Sequence, residues 1–216
     1  MEDNNITYEY IVRYLRRTLA PQQGKLAEME LGAREKDIPI AQIEVIRLLQ
    51  TMVASTGAKR ILEIGTAVGY STISMLQAAG EDGSIVTIEK NAEMAAIARE
   101  NCKGYNIEVL TGDAVTVLEG LSGTYDMVFI DAAKAQYRAM LMNSLRLVKE
   151  GGLIISDNVL YKGMIATDDL RIRREITIIK RMRNYLDYIC NHPNLMTSII
   201  PIGDGIAMSV KIGGLP

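Results

Sequence analysis

Little in this 216-residue chain suggests a soft metal centre or a covalent cross-link. It has only two cysteines, Cys102 and Cys190, and one histidine, His192. The cysteines lie far apart without metal-ligand spacing, so they give no sign of a zinc site, and both are expected reduced in a cytosolic chain. His192, in "NHPN" near a helix end, reads as a cap or surface residue. Neither sign of charge is in excess. The 24 Lys and Arg against 26 Asp and Glu leave a formal net charge of -2, which confines any basic partner surface to a local patch. No uninterrupted apolar segment reaches membrane-spanning length, and Met1 to Tyr10 is polar and acidic rather than basic and then apolar. The expectation is a cytoplasmic protein with no membrane partner. No internal repeat, low-complexity tract or Pro/Gly/Ser linker divides the chain, so residues 1–216 are expected to form one domain.

Hydrophobic content is ample at 48%, and its pattern changes along the chain. From Ile6 to Leu19, Tyr10, Ile11, Tyr14, Leu15 and Leu19 recur at helical intervals, with Arg13, Arg16 and Arg17 on other faces. A second helix follows from Lys25. A third runs from Gln42 to about Ala54, so residues 1–55 read as a helical extension packed on the rest. From Arg60 the chain becomes short β-rich runs, "RILEI", "SIVTIE", "IEVLTG", "YDMVFID" and "GGLIISD", each separated from the next by a helix-compatible stretch. That alternation predicts an α/β fold with parallel strands and crossover helices, and nearly continuous apolar strands fit a sheet covered on both faces. A long helix is expected around Asp169 to Cys190, then an antiparallel hairpin about a Gly203-Asp204-Gly205 turn.

The strand ends carry the chemistry. "LEIGTAVGYS" sets Gly65 and Gly69 four apart, allowing a sharp turn and close approach of a ligand. The middle glycine of a dinucleotide fingerprint is missing and no P-loop is present, so acid-x-Gly-x-x-x-Gly suits a ligand with an amino-acid tail and no phosphates. Glu89 ends the second strand about twenty residues on, where a carboxylate can accept both hydroxyls of a ribose. The third strand ends in "TGDA", placing Asp113 and Ala114 where an adenine would lie. The fourth delivers Asp131 and the fifth Asp157 and Asn158. Two carboxylates and an amide oxygen are hard ligands suited to Mg²⁺ or Ca²⁺. A ligand-free glycine turn, an N-cap role for Asp113 and simple turn formation by Asp157 and Asn158 stay open on these residues alone.

Three separated motifs, "LEIGTAVGYS", "FIDAAKAQY" and "SDNVLYKG", together resemble the class I S-adenosylmethionine-dependent O-methyltransferases of the catechol and caffeoyl-CoA type, from about Ile38 to Ile212. The resemblance implies a Rossmann-like, mostly parallel seven-stranded sheet with a terminal antiparallel hairpin. It implies Asp131, Asp157 and Asn158 as metal ligands, with Mg²⁺ or another hard divalent cation, and Glu89 as the ribose acid. Ile40, Gly65, Thr66, Gly69, Ser71, Asp113, Ala114 and Asp131 fall in its S-adenosylmethionine crevice. Lys134 matches the lysine near the acceptor hydroxyl, and Lys134 and Asp131 are the expected catalytic pair. Metal chelation implies an acceptor with two adjacent oxygens.

The tail "DNVLYKGMIA", a basic helix and "IIPIGDGIAMS" look like the bacterial branch that methylates 5-hydroxyuridine in the tRNA anticodon loop to 5-methoxyuridine. Arg171, Arg173, Arg174, Lys180, Arg181 and Arg183, opposed between them only by Glu175, would supply the phosphate contacts. A solvated helix face is the plain alternative. The other readings are a small-molecule catechol or hydroxycinnamoyl-type methyltransferase and a non-catalytic adenosylmethionine- or RNA-binding module. The apolar stripe of the first helix makes a homodimer the expected assembly.

Overall fold

The structure is a computed structural model and describes residues 5–213. Three helices lead: α1 (Glu9–Thr18), α2 (Lys25–Glu35) and α3 (Ile43–Thr56). Strands and helices then alternate as β1 (Arg60–Ile64), α4 (Tyr70–Ala79), β2 (Ser84–Glu89), α5 (Ala92–Asn101), β3 (Ile107–Thr111), α6 (Ala114–Gly120), β4 (Tyr125–Ile130), α7 (Tyr137–Leu145) and β5 (Val148–Ser156). After a long loop come α8 (Ile176–Cys190), β6 (Leu195–Ile200) and β7 (Ile206–Lys211). The sheet order is β3-β2-β1-β4-β5-β7-β6. The first five strands run parallel, while β7 is antiparallel to both β5 and β6.

Residue parity along the strands divides the core. Leu62, Ile64, Val128, Ile130 and Ile154 meet Leu118, Tyr137, Met140, Ile179 and Met182 on one face. Ile61, Met127, Phe129, Leu153 and Ile155 meet Leu26, Val45, Leu49 and Ile73 on the other. Because side chains alternate across a strand, each apolar strand feeds both layers. Burying a residue such as Leu49 or Phe129 contributes about 1.5–3 kcal/mol. The N-terminal helices α2 and α3 therefore share a core with the sheet. Helix α3 ends where Gly57 adopts φ 65° and Ala58 N donates to Val53 O at 3.1 Å, a left-handed stop that glycine favours.

Two boundaries differ from the expectation. Helix α1 begins at Glu9 rather than Ile6, and none of its residues is buried. The stretch from Asp169 to Ile172 is not helical: a short 3-10 turn at Arg173–Glu175 precedes α8. Local side-chain bonds compete with the helix there. Thr167 Oγ1 accepts from Asp169 N, while Asp168 takes ion pairs from both Arg171 and Arg183. Both cysteines are free, Cys102 buried and Cys190 exposed. Among the described residues no helix is long and apolar enough to cross a membrane.

Candidate active site

Strands β1 and β4 are neighbours whose crossovers leave in opposite directions, which opens a crevice at their carboxyl ends. A cavity of about 800 Å³ occupies it, a size suited to a cofactor with a small substrate. Ile40, Gly65, Thr66, Ser71, Glu89, Ala114, Asp131, Lys134, Asp157 and Asn158 all line it.

The chain approaches itself most closely at Gly65. Its φ is 102°, and a Cβ built there would sit 1.8 Å from the Asp131 carbonyl oxygen. Only glycine lets β1 turn this close to the end of β4. Gly69, by contrast, faces away from the cavity. With φ 87° it starts α4, and a Cβ there would meet Cys102 Sγ at 3.0 Å.

Glu63, the acid of the glycine motif, points into the protein. It is completely buried and accepts from Ser71 Oγ at 2.6 Å, from Thr87 Oγ1 at 2.7 Å and from Thr72. Burial outweighs these three donors and pushes its carboxyl up to about 7. Thr66 and Thr87 hydroxyls share a further bond at 2.6 Å. Ser71 and Thr66 thus line the cavity while being tied, directly or through Thr87, to one buried carboxylate.

Glu89 accepts from Ala67 N at 2.9 Å and from Asn91 N at 2.8 Å. Each carboxylate oxygen retains acceptor capacity toward the cavity. Asp113 is not part of the cavity wall. It caps α6 by accepting from Val115 N, and it also meets Lys90 at 3.1 Å and Gln136 at 3.4 Å. The Lys90 ammonium holds its carboxyl below the usual range. The hydrogen bonds show the N-cap role that the sequence left open for Asp113, and its partners Lys90 and Gln136 line the cavity.

Beside the Gly65 turn, Asp131 N donates to Ile64 O and Asp157 N to Ile130 O, both at 2.9 Å, which extends the strand pairing and sets two carboxylates side by side. Asp157 is buried and accepts from Asn158 N at 2.6 Å and Asn158 Nδ2 at 3.2 Å. Tyr137 Oη donates to Asp157 O at 2.9 Å from beneath. Desolvation raises both carboxyls, and the Asp131 charge further raises Asp157. Lys134, at the start of a 3-10 turn, donates from Nζ to Asn158 Oδ1 at 3.2 Å and stands 5.8 Å over the Tyr161 ring.

Among the described residues no three or more His, Cys, Asp or Glu side chains are placed together so as to hold a metal ion by themselves. The available donor set is two carboxylates and one amide. Two neighbouring carboxylates, Asp157 buried and further raised by the Asp131 charge, with an amide oxygen beside them, are hard donors that a divalent cation would relieve, so these residues fit such an ion.

Several cavity residues carried no sequence signal. Thr7, Glu9, Val12 and Arg16 come from the first helix and its approach, Lys162 from the loop after β5, and Asp204 from the hairpin turn. The basic segment is partly spent on internal pairing. Arg171 and Arg183 bind Asp168, Arg183 Nε also donates to Ile165 O at 2.9 Å, and Arg174 pairs with Glu175 at 3.2 Å. Arg173, Lys180 and Arg181 are exposed, and Arg181 Nη1 donates to Ala135 O at 3.5 Å, beside Lys134.

Comparison with known proteins agrees with this geometry. Residues 8–212 match the O-methyltransferase family. A catechol O-methyltransferase of Mycobacterium tuberculosis is 33% identical, over 76% of this chain and 77% of that protein. One of Niastella koreensis is 31% identical, over 77% and 80%. The solved O-methyltransferase of Bacillus cereus in complex with SAH is 28% identical, covers 96% of this chain and 99% of that one, and superposes with a TM-score of 0.83. The chain therefore belongs to the O-methyltransferase family and is a class I S-adenosylmethionine-dependent O-methyltransferase.

Proposed function

We propose that the protein transfers the methyl group of S-adenosylmethionine to one of two adjacent oxygens on a small aromatic acceptor of the catechol or hydroxycinnamoyl type, with Mg²⁺ bound. The observation that carries this reading is the juxtaposition of Asp131, Asp157, Asn158 and Lys134 in one cavity that Glu89 and the Gly65 turn also line. Relatives named catechol O-methyltransferase support the acceptor class.

In this reading Glu89 accepts the ribose hydroxyls, and Gly65, Thr66 and Ser71 bound the amino-acid end of the cofactor. Ile40 and Ala114 supply apolar walls. Asp131, Asp157 and Asn158 would hold the cation, which supplies Lewis-acid stabilisation of the acceptor oxyanion when bound. Lys134 takes the hydroxyl proton as general base. The oxygen lone pair then forms a bond to the methyl carbon as the carbon–sulfur bond breaks, leaving S-adenosylhomocysteine. The cavity's remaining contribution is to hold oxygen, carbon and sulfur in line.

A second reading has one observation in its favour. Arg181 reaches the backbone beside Lys134, where a phosphate of a tRNA anticodon loop would meet it, and Arg173 and Lys180 are also exposed on the same basic segment. The 5-hydroxyl and 4-carbonyl of 5-hydroxyuridine also form a vicinal oxygen pair. Purified enzyme offered labelled S-adenosylmethionine, Mg²⁺, a panel of catechols and tRNA carrying 5-hydroxyuridine separates the two. Efficient labelling of catechols with untouched tRNA supports the first reading; 5-methoxyuridine by mass spectrometry, with catechols inert, replaces it with the second. The homodimer is part of the same proposal, supported by Tyr10, Ile11, Tyr14 and Leu15 exposed along α1, and sedimentation at micromolar concentration tests it.

A further inference from the structure

The loop that follows β5 holds an unusual backbone. Asn158, Tyr161 and Lys162 have φ of 54°, 47° and 55°, and Gly163 follows at 76°. Three non-glycine residues in the left-handed region cost conformational energy, so the surroundings must over-determine this path. What holds it is the turn between β6 and β7. Val159 N donates to Gly205 O at 2.9 Å, Leu160 N to Asp204 O at 3.0 Å, and Lys162 N to the Asp204 carboxylate.

The turn is itself wedged. A Cβ on Gly203 would meet Val45 Cγ2 at 2.8 Å, and one on Gly205 would meet Leu160 Cγ at 2.3 Å. The turn is therefore packed too closely against α3 and against Leu160 of the loop to move toward either. Asp204 lines the cavity as well, with the Lys134, Lys162 and Asp157 charges all within electrostatic range.

We infer that Asp204 is a positioning residue for the acceptor end of the site. Through its carboxylate and carbonyl it clamps Leu160 and Lys162, which fixes the left-handed Asn158 amide between Asp157 and Lys134. The inference rests on the proposed cation site.

The test measures Mn²⁺ affinity by water-proton relaxation and S-adenosylmethionine affinity by calorimetry on the full-length protein, for wild type, Asp204→Ala and Asp204→Asn. Asp204→Ala should weaken Mn²⁺ binding roughly 10-fold or more, the range for residues that orient metal ligands. Cofactor affinity should stay within about twofold, because the backbone that Asp204 bonds is the Leu160–Lys162 loop, not the β1, β2 or α4 residues assigned to the cofactor. Asn keeps an acceptor oxygen for Lys162 N, so Asp204→Asn should recover most of the loss. A purely structural role would instead lower both affinities together and gain nothing from Asn. Unchanged Mn²⁺ affinity in Asp204→Ala, or parallel loss of both ligands, overturns the inference. Wild-type protein that binds cofactor but no Mn²⁺ overturns the cation site and this inference with it.

Discussion

At Gly65 a single methyl group decides whether β1 can end beside β4. Gly65→Ala would put its Cβ on the Asp131 carbonyl while holding a φ of 102°. Overpacking of this kind costs on the order of 3 kcal/mol or more. Thermal melting should show the loss, and calorimetry should show cofactor binding abolished. Glu63 yields a pH prediction with a definite sign. Its carboxyl sits near 7 in the folded protein against an ordinary 4.5, so the folded state holds its proton more tightly than the unfolded chain. The contribution is fully present below about 4.5 and is lost as pH rises through about 7, a swing of about 3 kcal/mol. Urea midpoints of Glu63→Gln should therefore lose the decline that wild type shows across this window; parallel curves would contradict the assignment. Glu89→Ala should weaken S-adenosylmethionine binding about tenfold or more, since hydrogen bonds to a charged group contribute about 1.5–3 kcal/mol. Gly65 and Glu89 were legible because turn glycines and strand-end acids stand at informative spacings. The burial of Glu63 was not, because its partner Thr87 lies on a neighbouring strand that only the fold brings near.

Among the elements, α1 is tied to α3 by the side chain of Arg16. None of its residues is buried, yet Thr7, Glu9, Val12 and Arg16 from this part of the chain border the cavity. Arg16 binds Glu44 of α3 through Nε and Nη2, with the shortest contact at 2.8 Å, and Glu44 is buried. Arg16→Ala strands that carboxylate and should destabilise the protein by on the order of 1–3 kcal/mol. It should also raise the acceptor KM as the wall loosens. The control is Arg13→Ala, whose exposed pair with Glu9 at 3.6 Å should contribute less than about 1 kcal/mol. Calorimetric melting and steady-state kinetics check both variants. The amphipathic spacing of α1 was readable from its tyrosines and leucine. Its contribution to the cavity was not, since an ion pair 28 residues apart leaves no local signal. The same limit explains the misplaced start of α8. Asp168 captures Arg171 and Arg183, and the pairing of Arg183 from within the helix cannot be seen in a linear charge run.

For the whole molecule, alternating β-rich and helical runs sufficed to predict a parallel sheet, and the glycine-centred turn sufficed for the closing hairpin. Both follow from local periodicity. What periodicity could not convey is that this hairpin turn sits against the loop bearing Asn158, or that Asp204 enters the cavity. Those contacts join strand ends with the helical extension into one site. The account stands on that site coupling a bound divalent cation to methyl transfer, so the most direct measurement is transfer from S-adenosylmethionine to a catechol before chelation, after exhaustive chelation and after Mg²⁺ is restored, in wild type, Asn158→Ala and Asp157→Ala. Activity should vanish with chelator while cofactor binding persists and should return with Mg²⁺; Asp157→Ala should lose more than Asn158→Ala because it removes a charge as well as a ligand. Full activity after exhaustive chelation, or an Asp157→Ala enzyme as active as wild type, would contradict it.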